Sequence, residues 1–142
     1  MKAAALACLA LTCLGVACSS TPAAPAAPST PSTPAAPPFF TGTLPPMGSS
    51  FYSFSLTQAG TVSLTLASLT FGPQNPVPAT VVGLGFGTPV GTDCSLTTSL
   101  KTAAGLVAQI NTAASIGTFC VDIFDVGNLN GPVDFAIRIV HP

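Results

Sequence analysis

Few side chains in this sequence are able to do chemistry. The 142 residues include five cysteines, one histidine and four aspartates, with no glutamate. A hydrolytic triad needs an imidazole held between a nucleophile and an orienting acid. His141 stands beside the last residue, Pro142, where little can hold it. No serine sits in the Gly-x-Ser-x-Gly turn of a nucleophile elbow. Paired-carboxylate chemistry needs two acids facing one cleft, and Asp122 and Asp125 instead fall together at a strand end. Structural or solvent roles are expected for both, and no catalytic residue and no cofactor. Asp125, Asn128 and Asn130 gather near a turn. Calcium prefers six to eight hard oxygens, so one carboxylate and two amides would make a weak site. Asp and Asn are also ordinary turn residues, and turn chemistry is the expected role. No metal site is assigned.

The cysteines separate by position. Cys8, Cys13 and Cys18 fall in an apolar stretch that follows Met1-Lys2 and closes on Leu14-Gly15-Val16-Ala17-Cys18. The run from Ala3 to Ala17 is shorter than the roughly 20 residues a membrane-spanning helix needs. A short basic start, a short apolar run and small residues before a cut are the marks of an export signal. The closing tetrad reads as a bacterial lipobox, with Gly15 where Leu is commoner. It predicts cleavage after Ala17 and a diacylglycerol on the Cys18 thiol. Buried methylenes contribute about 0.8 kcal/mol each, so two or more acyl chains hold firmly to a bilayer. Ser19, in place of an aspartate, favours the outer membrane where one exists. The expected location is the bacterial cell envelope, facing the periplasm or the cell exterior.

Cys94 and Cys120 remain, an even pair in an oxidising compartment, and a disulfide between them is predicted. Loop entropy gives such a bridge about 3–4 kcal/mol. A metal or reactive-thiol role lacks neighbours, because the only histidine is His141 and no Cys-x-x-Cys spacing occurs.

Three segments follow: the signal over 1–17, the lipidated Cys18 with a linker over 18–38, and one domain over 39–142. The linker after Cys18 contains only Ser, Thr, Ala and Pro. Proline fixes φ and removes a donor, and no large apolar side chain offsets ordering entropy. An extended, polyproline-biased tether is expected, reaching several tens of ångströms at about 3.1 Å per residue.

Charged residues make up 5% of the chain, and none lies between Lys2 and Asp93. This excludes nucleic-acid binding, which needs clustered Lys and Arg against phosphates. It also excludes electrostatic docking on anionic lipid. The membrane contact expected is the N-terminal lipid anchor alone. A protein or polysaccharide of the envelope is the remaining kind of partner, and oligomeric state is not set by the sequence.

The elements that must position any binding residue are strands. Tyr52, Phe54 and Leu56 alternate with serines, and Val62, Leu64 and Leu66 alternate with Thr61, Ser63 and Thr65. This period of two marks strands with one buried face. Residues 58–60 between them predict a hairpin. Val82, Leu84 and Phe86 alternate with Gly83 and Gly85, which suggests close approach above the glycines or a thin outer face. Phe119, Val121 and Ile123 form one row, and Val133, Phe135, Ile137 and Ile139 the last. Residues 39–44 and 106–110 read as further strands, and 99–110 is the one stretch where a helix could form. Prolines make 72–79 a loop, and 127–132 reads as a turn. If the strands on either side of that turn pair, Asp122 and Arg138 meet on an outer face, worth at most about 1 kcal/mol. Seven or eight short strands with frequent turns predict an all-β, two-sheet sandwich.

The segments Tyr52-Ser53-Phe54, residues 59–66, residues 117–123 and residues 133–137 resemble bacterial pre-peptidase C-terminal (PPC) domains. The resemblance implies a jelly-roll-like sandwich that accompanies secreted enzymes as an accessory domain. Some such domains bind calcium through acidic residues before the first strand, and this sequence has none there. The expected function is that of an exported, lipid-anchored, non-catalytic binding or structural module. The alternative is an inhibitor or sensor-type module acting on an extracellular enzyme through the loop at 72–79.

Overall fold

The computed structural model describes residues 39–72, 75–77 and 79–142. The signal segment, Cys18 and the linker lie outside the described residues, as do parts of the 72–79 loop. Among the described residues nine strands form: β1 (Phe39–Leu44), β2 (Ser49–Leu56), β3 (Gly60–Phe71), β4 (Asn75–Pro76), β5 (Val82–Val90), β6 (Asp93–Thr102), β7 (Ile110–Ala114), β8 (Gly117–Phe124) and β9 (Val133–Val140). Two antiparallel sheets result. The first runs β1-β9-β3, and the far edge of β3 is shared by β7 and the short β4. The second runs β2-β8-β5-β6.

The alternating rows predicted from the sequence form the core. Leu44, Val62, Leu64, Leu66, Val133, Ile137 and Ile139 come from the first sheet. Leu56, Val82, Leu84, Phe86, Val121 and Ile123 face them from the second. Each fully buried Leu, Ile or Val contributes about 1.5–3 kcal/mol. This clamps the two layers together and fixes register, because a one-residue slip would turn every row outward. A bulge at Ala67 adds one residue to β3, so Leu69 returns to the inner row after Leu66.

With so few charges, hydroxyl-donated cross-strand hydrogen bonds serve the outer faces. The Thr43 hydroxyl donates to Asp134 at 2.6 Å, and the Ser63 hydroxyl donates to Asn111 at 2.7 Å. Both are register partners on adjacent strands.

Several expectations are corrected. Residues 58–60 do not close a hairpin, because β2 pairs with β8 while β3 pairs with β9 and β7. The connection crosses between sheets, which buries both amphipathic strands on opposite sides of one core. The strands flanking 127–132 also lie in different sheets. Asp122 and Arg138 therefore cannot pair: Arg138 stands opposite Phe39 and Thr65, and Asp122 opposite Phe51 and Gly85. No helix forms in 99–110, where β6 continues to Thr102 and its polar alternation pairs with β5. The strand expected at 106–110 starts only at Ile110. His141 is not a solvated tail residue. Its ring is half-buried and stacks on Phe54 with centroids 5.3 Å apart.

Candidate functional site

The β1–β2 and β8–β9 connections lie at the same end of the molecule, since Leu44 opposes Val133 and Ser49 opposes Phe124. Phe39, where the described chain begins, lies at the other end of β1. Asp125 joins the two connections. One carboxylate oxygen, Oδ1, accepts the backbone N–H groups of Gly127, Asn128 and Leu129 at 2.9, 3.2 and 3.3 Å. The other, Oδ2, accepts the N–H of Met47 at 2.8 Å. The Asp125 N–H in turn donates to the Gly48 carbonyl at 2.9 Å. These donors, the Met47 N–H foremost, hold the Asp125 carboxyl below its ordinary value.

Both oxygens are thus used by N–H groups whose positive ends point at them. Asp125 thus acts as a loop staple, the turn role expected of it. Asn128 and Asn130 stay exposed on the same loop, while Leu129 is buried beneath it. Among the described residues no group of three or more His, Cys, Asp or Glu is placed to hold a metal.

The staple has a consequence that the sequence did not disclose. It holds Met47 at φ 57°, a left-handed conformation that non-glycine residues rarely adopt. The Met47 side chain is 91% exposed. A flexible apolar side chain is therefore pushed into solvent on a tightly held backbone, a kind of strain that gathers at binding sites. The only sequence signal is the Pro45-Pro46 pair that leads the turn.

The outer face of the second sheet is a second feature. Cys94 and Cys120 form the predicted disulfide, with Cα atoms 5.9 Å apart. Their strands flank β5 on opposite sides, and strands two apart in a flat sheet lie about 9.5 Å apart. The β5–β6 tip must therefore curl over the sheet. Gly87 and the bulge at Thr97 allow it, since a Cβ on Gly87 would strike the Ser95 carbonyl. The bulge also turns Leu96 to the outer face, where it covers Gly85, and the Phe124 ring covers Gly83. The close approach suggested by those glycines is thus made by side chains of the neighbouring strands.

Asp122 stands on this face, with Phe124 and Cys120 as its neighbours in the β8 outer row and Phe51 across from it. Burial raises its carboxyl to about 6, the Ile123 N–H opposes the rise, and the negative charge of Asp93 adds to it.

Compared with known proteins, the chain matches no family model and no curated relative.

Proposed function

We propose that this chain is an exported, lipid-anchored, non-catalytic binding module of the bacterial cell envelope. The observation that carries the reading is the Cys94–Cys120 bridge. Such bridges persist in oxidising compartments and are rare in the cytosol. The export-type segment ending at Cys18 supports the same compartment from the other end of the chain. The fold proposed is a jelly roll. In support, each sheet takes its strands from both halves of the chain, and β1, β2 and β3 alternate between sheets. The likeness to PPC domains belongs to the same proposal and rests on the strand and turn segments that carry it.

Binding is assigned to the end that holds Met47 and the 125–132 loop. That end lies away from Phe39, where a tether would join.

Two measurements test this. Radiolabelled fatty acid should enter the protein and be lost with Cys18→Ser, which should also release it from membranes. Pull-down from envelope extracts should recover a protein or glycan that Met47→Asp no longer captures. Capture unaffected by Met47→Asp would move the binding surface elsewhere. Capture of an enzyme with loss of its activity would favour an inhibitory role.

A further inference from the structure

An exposed strand edge is a template for another strand, and folded proteins usually blunt it with charge, proline, a bulge or short length. This molecule treats its edges unequally. The far edge of β3 is filled by the five residues of β7 and the two of β4. Between them the Gln109 side chain takes the Leu66 N–H at 2.8 Å, where a strand would otherwise pair. The edge strand β6 carries Asp93, Lys101, a bulge and the disulfide.

Among the described residues, the opposite flank lacks the charge, the proline and the bulge. There β1 (FFTGTL) and β2 (SSFYSFSL) lie side by side as the edges of the two sheets. Neither contains a charge or a proline, and both pair inward without a bulge.

The core is also open on this flank. Tyr52 and Gly42 belong to inward rows, opposite Val121 and Phe135. Yet Tyr52 is 42% exposed and Gly42 is exposed as well. Tyr52 stacks on Phe40 at 5.5 Å, and Phe40 meets Phe135 edge-on at 4.9 Å. An aromatic seam leads from the core to the surface between two unguarded edges. Phe39, 55% exposed, extends it.

We propose that this flank is a self-association surface, on which β2 pairs antiparallel with β2 of a second copy. Antiparallel pairing of a strand with itself is two-fold and self-complementary. Centred on Tyr52, it sets Tyr52 against Tyr52, Ser50 against Phe54 and Phe51 against Ser53. Inner rows meet inner rows, and no charge meets a like charge. The two four-stranded sheets become one sheet of eight. An eight-residue strand is about 27 Å long. With a flank about 15 Å thick, the interface buries roughly 800 Å² in total, below the roughly 1,200 Å² of a stable complex and in the range of weak, transient pairing. A reversible dimer follows, its partner present wherever the chain is.

The test is cross-linking of the full chain in the cells that export it. Tyr52→Cys should give an oxidised species of twice the mass on a non-reducing gel. The unaltered chain and a Ser99→Cys control on β6 should not. Adding Ser53→Lys, at an exposed outer-row position, should cut the doubled species about tenfold, as edge lysines do. Ser55→Lys provides the same check should Ser53→Lys fail to accumulate. No doubled species, equal cross-linking from Ser99→Cys, or a product whose mass requires a different protein would each overturn the proposal. None of these readouts depends on the lipid at Cys18, so their failure leaves the anchor reading to its own test.

Discussion

Met47 shows how one side chain can be held at a cost. Its left-handed backbone is worth about 1 kcal/mol of strain, which glycine would not carry. Met47→Gly is therefore expected to raise stability by up to about 1 kcal/mol in urea denaturation while removing the exposed thioether. Gln109 works the other way. Gln109→Ala leaves the Leu66 N–H without its acceptor and should destabilise the protein by about 1–2 kcal/mol. Asp122 makes stability depend on pH. Its folded value, about 6, lies above the unfolded one. The folded state therefore holds the proton more tightly, and stability falls as pH rises from about 4 to 6. Asp122 keeps part of its surface in solvent, so after allowance for solvent screening the effect is about 1 kcal/mol. Asp122→Asn should remove this slope and stabilise the protein at pH 7, as a pH series of melting curves would report. Asp125 has the opposite sign: its depressed value contributes stability above pH 4 that is lost on acidification. The turn role of Asp125 was legible from residue type. The strain at Met47 and the plug at Gln109 were not, because each depends on a partner about 80 or 40 residues away.

At the scale of elements, period-two alternation gave most strands and their inner faces, since burial of one face is what alternation encodes. It missed β6 and misread the segment after it. In β6 the bulge at Thr97 breaks the phase, so Leu96 faces out and Leu100 packs on the core. A fixed period cannot describe a strand whose rows change sides. Residues 103–109 run along β3 through the Gly105 and Gln109 N–H groups, which donate to Leu66 and Leu64 carbonyls. The apolar residues there mimic a strand or helix without forming one. The curl of the β5–β6 tip makes a firm prediction at Gly87. Gly87→Ala forces a methyl group into the Ser95 carbonyl and should destabilise by more than about 2 kcal/mol, because backbone must move. Replacing Cys94 and Cys120 together with serine frees the curled tip. With the two cysteines 26 positions apart, the loss expected is about 3.5 kcal/mol, measured as the drop in unfolding free energy.

For the whole molecule, the all-β class and the two sheets followed from many short alternating strands and frequent turns. The order of strands did not. Adjacent strands were expected to pair, and β2–β3 and β8–β9 instead cross between sheets. Local sequence sets which face of a strand is buried but not which sheet receives it. That choice depends on the shared core, to which every strand except the short β4 contributes. The same gap explains Asp122 and Arg138, whose pairing rested on the wrong neighbour.

A lipid-anchored envelope module must leave the cytoplasm, be cut before Cys18 and carry acyl groups there ahead of an oxidised domain. Intact mass spectrometry of the protein from its native membranes tests this most directly. It should give a chain starting at Cys18, heavier by a diacylglycerol and lighter by the two hydrogens lost at Cys94 and Cys120. A soluble, unprocessed 14.0 kDa chain starting at Met1, with both late thiols free, would contradict it.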